Sequence, residues 1–176
     1  FIKEQLEQLG LGAKMEWVHF GLTSQDINNT AIPLSMKEAA EQVIFPALEE
    51  LCAELKKLAN TWKDLPMLAR THGQAASPTT LGKEIYVFAE RIEIQIQQLK
   101  QTVWAAKFGG ATGNFNAHHV AFPSTDWLNF AHGFVSSLGL SRSRTTTQIE
   151  HYDHLAAYCQ NMMRVHTILI DFCRDI

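Results

Sequence analysis

Three short polar runs hold the side chains best suited to chemistry. Thr23-Ser24-Gln25-Asp26 sets two hydroxyls and a carboxylate just ahead of Ile27-Asn28-Asn29. At a helix start, such hydroxyls lie beside unpaired backbone N–H groups and can receive a carboxylate or phosphate. The same residues also make an ordinary N-cap. Thr71-His72-Gly73-Gln74 offers an imidazole, the side chain that exchanges protons near neutral pH. Gly73 would let backbone approach a ligand closely, and Thr71 and Gln74 could orient ring and substrate; a solvated surface histidine is the plainer reading. In Thr145-Thr146-Thr147-Gln148-Ile149-Glu150, Gln148 carries a donor and an acceptor on one planar fork, which suits a carboxylate or an amide. A capping run would use these residues equally well.

Other polar pairs carry less. His118-His119 and His151-x-x-His154 invite a metal reading, but neither has cysteine partners or a His-Glu-x-x-His arrangement, so no metal site is expected. Arg142 and Arg144 read as solvated loop residues. No phosphate-cradling glycine loop of the Walker or dinucleotide type is present.

The elements that must position these runs are helices. Ile44, Leu48, Leu51, Leu55, Leu58 and Trp62 recur at helical spacing, as do Leu81, Ile85, Phe88, Ile92, Ile96, Leu99 and Val103. A short seam follows at Trp127, Phe130, Phe134 and Leu138, and a long one from Leu155 through Tyr158, Met162, Val165, Leu169 and Phe172 to Ile176. Such seams predict an all-α fold of long helices packed at shallow angles. Ser24 with Asp26 should open the first helix, Pro78-Thr79-Thr80 the second, Ser124 the third and the Thr145–Glu150 run the fourth. Pro33 and Pro46 should kink the first. One helix from Ser24 to Trp62 would span about 57 Å at ~1.5 Å per residue, too long for a compact monomer. No sustained strand alternation is visible, and residues 70–78 and 109–119 read as functional loops on a rigid frame.

The chain has 176 residues, a formal net charge of −3 and 46% hydrophobic residues, enough for one domain with a core. The mild acidity speaks against nucleic-acid binding, and no apolar window reaches membrane-spanning length. Cys52, Cys159 and Cys173 are scattered and odd in number, which fits reduced thiols in a cytoplasmic protein. A start at Phe1 and an end within a helical pattern suggest a piece of a longer polypeptide.

Taken together, the polar runs resemble the fumarase/aspartase superfamily, whose members split a C–N or C–O bond and release fumarate. Thr23-Ser24-Gln25-Asp26 looks like its first conserved region, and Arg70-Thr71-His72-Gly73-Gln74 like its second. Gly73, the run Pro78-Thr79-Thr80-Leu81-Gly82-Lys83-Glu84, Gly110–His118 and Thr146-Thr147-Gln148-Ile149-Glu150 resemble the bacterial branch that acts on a succinylated purine nucleotide. Where that branch continues with Pro-His-Asp, this chain has His151-Tyr152-Asp153.

The resemblance implies a long-helix bundle in which residues 1–176 form mainly the central helical domain and residues 1–22 the tail of an N-terminal region. It implies β-elimination of fumarate from a small-molecule nucleotide, without cofactor or metal. His72 would be the catalytic acid, with Thr23, Ser24, Thr71 and Gln148 binding substrate. The family's serine base lies on a mobile loop beyond Ile176, so the stretch 1–176 alone should be inactive. The superfamily also implies a homotetramer with active sites shared between subunits. The alternatives are another fumarate-releasing lyase, such as one acting on argininosuccinate, and an inert helical assembly protein that kept the bundle and lost the chemistry.

Overall fold

The computed structural model describes residues 1–176. In chain order it contains α1 (Ile2–Gln8), a 3-10 segment (Gly12–His19), α2 (Ser24–Ala39), a π-helical turn (Ala40–Ile44) and α3 (Phe45–Thr61). A hairpin of β1 (Pro66–Thr71) and β2 (Gln74–Thr80) follows, then α4 (Leu81–Lys100) and β3 (Ala105–Ala106). The chain continues with α5 (Asn116–Ala121), α6 (Trp127–Ser137), β4 (Ser141–Arg142) and α7 (Asp153–Asp175). Helices dominate, as their seams predict, and no helix is long and apolar enough to cross a membrane. Contacts divide the chain into two compact units, residues 1–36 with 103–153 and residues 37–102 with 154–176.

The second unit is built on the helical seams. Phe45, Leu48, Cys52, Leu55 and Ala59 are buried along α3, and Ile85, Phe88, Ala89, Ile92, Ile96 and Leu99 along α4. The two helices run antiparallel. Gly82 at the start of α4 lies against Ala59 near the end of α3, the Cys52 thiol donates to the Ala89 carbonyl at 3.4 Å, and Lys100 pairs with Glu49. Each aliphatic side chain buried along this seam contributes roughly 1.5–3 kcal/mol, whereas the exposed Lys100–Glu49 pair at its end adds little. α7 packs antiparallel to α4 through an edge-on Phe88–Phe172 contact at 5.2 Å. Arg91 bonds Asp171 at 2.8 Å, and Arg164 bonds both Gln95 and Gln98.

Several boundaries differ from expectation. Residues 66–80 form an antiparallel hairpin, not a loop, with a bulge between Leu68 and Arg70. The segment lacks apolar alternation because most of its side chains are exposed; the backbone ladder defines it, not burial of one face. α4 opens as predicted, with the Thr80 hydroxyl accepting from the Lys83 N–H, but it ends before Val103. α6 is capped by Asp126, whose carboxylate accepts from Asn129 N–H at 3.0 Å, and not by Ser124. The Thr145–Glu150 run does not open a helix; α7 begins at Asp153. α2 carries Pro33 without a break, and the π turn falls just before Pro46. In a regular helix the Pro46 ring would crowd the carbonyl four residues back, and a π turn widens the backbone there.

The first unit has a core of aromatic rings. Ala106, Val135 and Leu140 are buried with Leu34, Trp104, Phe108 and Leu138 against them. Phe115, Trp127 and Ala131 form a second cluster, with Phe20 and again Phe108 packed on it. The short parallel pair β3–β4 ties the segment after α4 to the segment after α6.

Gly82 sets how closely α3 and α4 approach, since a Cβ there would sit 2.2 Å from the Ala59 carbonyl oxygen. Gly82→Ala, although it raises helix propensity, should lower stability by about 1–3 kcal/mol through overpacking. A urea midpoint unchanged or raised in this variant would show that the two helices separate without cost.

Candidate active site

The start of α2 inverts the usual amphipathic logic. Its buried face reads Asp26, Asn29 and Pro33, at helical spacing with half-buried Thr30 beside them, while Ile27 and Ile32 are exposed. A polar face goes inward only if every group finds a partner, and here nearly all do. One oxygen of Asp26 accepts from the Thr23 backbone N–H at 2.8 Å, which ties down the residue just ahead of the helix. The other accepts from the N–H groups of Gly109 (2.9 Å) and Gly110 (3.2 Å) and from the Lys107 ammonium (2.9 Å). Lys107 also donates to the Gly110 carbonyl. Neither side chain of this ion pair is more than 1% exposed. One helical turn on, the Thr30 hydroxyl donates to the Lys107 carbonyl at 3.3 Å.

Asn29 does the same for the segment that carries Gln148. Its carbonyl accepts from the Glu150 N–H at 3.0 Å, and its amide donates to the Tyr152 hydroxyl. The buried Glu150 carboxylate accepts from the Ser143 hydroxyl at 2.9 Å and from the Tyr152 N–H. These bonds hold Tyr152 in the left-handed region at φ 61°, a conformation costing a non-glycine residue about 1–2 kcal/mol. His151 lies between two carboxylates, Nε2 3.2 Å from Glu150 and Nδ1 3.1 Å from Asp153. The segment thus places a tyrosine in the hydrogen-bonded framework and a histidine between acids.

The result is a polar junction at the surface. The Gln148 amide donates to the Thr23 hydroxyl at 3.2 Å across 125 residues of sequence. Gln148 and Ser24 are exposed and Thr23 half-buried, so hydroxyls, an amide and the helix N-terminus share one accessible patch able to receive a carboxylate. Two of the predicted runs are therefore brought together.

The third run is in the other unit. His72 and Gly73 are the two central residues of the β1–β2 turn, with φ 50° and 74° and Thr71 paired with Gln74. Positive φ at both positions defines a type I′ turn, whose twist suits a two-residue hairpin. Gly73 thus serves the turn, and no atom of the chain lies within 4 Å of where its Cβ would be. The turn holds the His72 imidazole exposed at the hairpin tip, with Thr71 at the end of β1.

One further expectation changes, at Arg142. Arg142 is not solvated: it is half-buried, stacks 5.2 Å from the centre of the Phe115 ring and donates to the Phe108 carbonyl. Burial pulls its pKa below the usual arginine range. His118 is 1% exposed and packs edge-on against Phe20, Phe108, Phe115 and Trp127, with neither ring nitrogen hydrogen-bonded within the chain. Gly21 leaves the space its ring fills, since a Cβ there would lie 2.5 Å away. Residue patterns alone did not reveal Lys107 or Asn29. The available clue was a lysine in the small and apolar run Ala105-Ala106-Lys107-Phe108-Gly109-Gly110, where a buried cation demands a carboxylate.

This fold and site define a class. The chain belongs to the lyase family, whose model, described as "Lyase", matches residues 1–176. Over its whole length it is 55% identical to adenylosuccinate lyase of Dictyostelium discoideum and 45% identical to adenylosuccinate lyase of Escherichia coli (strain K12). It spans 39% of the length of each of these curated relatives. Among solved structures, 3-carboxy-cis,cis-muconate lactonizing enzyme from Pseudomonas putida superposes with a TM-score of 0.81 at 26% identity, covering 96% of this chain and 37% of that one.

Burial lowers the pKa of His118 from 6.5; nearby Asp26 opposes this, while His119 and Lys107 add to it. Below pH 6.5 the unfolded chain therefore binds a proton that the folded chain does not, and stability falls as pH drops through that value. His118→Leu should show a smaller loss of denaturant midpoint between pH 7.5 and pH 5.5 than the parent. An equal loss in both would mean that His118 is protonated in the folded state.

Proposed function

We propose that this chain forms the central part of an enzyme that eliminates fumarate from adenylosuccinate, leaving AMP. The same site would act on the succinylated aminoimidazole carboxamide ribotide of purine synthesis. The observation that carries the reading is the junction of Thr23 with Gln148, which makes a carboxylate receptor from two runs far apart in sequence. The identity to adenylosuccinate lyases over the whole chain supplies the substrate class.

In this reading, a base from another part of the enzyme removes a proton from the succinyl carbon next to a carboxylate. The electron pair left behind spreads into that carboxylate and then forms the C=C bond of fumarate as the C–N bond breaks. The departing nitrogen takes the electrons of that bond and a proton from His72. An amine nitrogen is a poor leaving group without that proton. Thr23, Ser24 and Gln148 hold the succinyl carboxylate and stabilise its growing charge with fixed donors, while Thr71 orients substrate beside His72. No step calls for a metal or cofactor.

The assembly we propose is a homotetramer, in a cytoplasmic enzyme, with each active site drawn from several subunits. Its support is a second apolar seam that the helices leave exposed, Val87 and Ile94 on α4 and Met163 and Ile170 on α7, each pair two turns apart.

His72→Ala, in a chain completed to the relatives' length, should lower turnover by ~10²–10⁴ with little change in substrate binding. Near-normal turnover would remove His72 from the chemistry.

Subunit mixing tests the shared site. A His72→Ala variant and a Thr23→Val/Gln148→Ala variant should each be nearly inactive, yet regain activity when subunits exchange, because some sites then take both intact regions from different chains. Continued inactivity after demonstrated exchange would place both regions of a site in one subunit.

A further inference from the structure

We propose that the Asp26–Lys107 ion pair and Gly113 act as a positioning device that sets Thr23 against Gln148, with the glycine turn 109–113 as its bridge. The inference rests on the reading of Thr23 and Gln148 as the succinyl receptor and extends it to residues that touch no substrate. One end of the bridge is Asp26. It receives the N–H groups of Gly109 and Gly110 together with that of Thr23, so one carboxylate fixes both the turn and the receptor residue ahead of α2. Lys107 locks that carboxylate and also binds the turn's own Gly110 carbonyl. The other end is Gly113, at φ 79°, where a Cβ would lie 2.3 Å from the Thr146 carbonyl oxygen. Thr146 is two residues before Gln148, so the turn presses directly on the strand of chain that delivers the amide.

The geometry explains three sequence features at once. Gly113 is required both by its positive φ and by the close approach of Thr146. Lys107 is tolerated in an apolar run because Asp26 neutralises it. Asp26 is needed as a carboxylate, since one charged group must satisfy three N–H groups and an ammonium.

A double-mutant cycle tests the proposal in the enzyme completed to the relatives' length. Gly113→Ala should lower kcat/KM for adenylosuccinate at least tenfold in the parent, but less than twofold in a Thr23→Val/Gln148→Ala background, where both side chains it positions are already gone. Thermal unfolding at the assay temperature checks that each variant is folded. If Gly113→Ala does not fold, Asp26→Asn/Lys107→Met takes its place in the cycle, because it removes both charges and leaves no lone buried ion. Equal losses in both backgrounds, or no loss in the parent, would overturn the positioning role while Thr23→Val and Gln148→Ala still impaired catalysis. If Thr23→Val and Gln148→Ala were themselves silent, the receptor reading would fail and the positioning role with it.

Discussion

A buried carboxylate at the first turn of α2 is the constraint on which the candidate site depends. Removing Asp26 and Lys107 from water is costly, and their attraction offsets that only with good geometry and further hydrogen bonds. The structure supplies them from Thr23, Gly109 and Gly110. Such a pair adds little net stability compared with apolar side chains of the same size. It does make alternative packings of this region expensive, because any shift strands a charge. That is a reason to retain it where a helix start and a glycine turn must keep one relative placement.

The same logic accounts for the inverted face of α2. A hydrophobic face could have held this helix in place, but it would not distinguish one register from another at hydrogen-bond precision. Asp26 and Thr30 bind the backbone of residues 107–110, and Asn29 binds that of Glu150. The exposed Ile27 and Ile32 are the counterpart of that arrangement: apolar side chains are displaced to the outside. The aromatic cluster around His118 adds rigidity beneath the glycine turn, since Gly110 packs against the same imidazole.

The hairpin solves a different problem. In the proposed mechanism His72 is a proton donor, which must be held firmly while its ring stays exposed. A two-residue type I′ turn does this, because its backbone is fixed by the ladder from Pro66 to Thr80 while its central side chains stay clear of the ladder. The cost is a positive φ at His72, which a following glycine eases but does not remove.

Much was legible in the residues themselves. The spacing of Leu48, Leu55, Ile85, Ile92 and Val165 determined long helices, because a 3.6-residue period leaves one apolar stripe that must be buried. The polar runs at Thr23, His72 and Gln148 stood out because packing alone does not require them. Tertiary structure decided the rest. The hairpin was hidden because a ladder made of backbone bonds needs no side-chain alternation. The Gln148 run has the look of a helix start because its threonine hydroxyls satisfy backbone groups equally well in a turn. The pairing of Asp26 with Lys107, 81 residues apart in the numbering, could not be read locally: a carboxylate inside a helix start looks the same whether it faces water or a buried ammonium, and only the fold brings the two together.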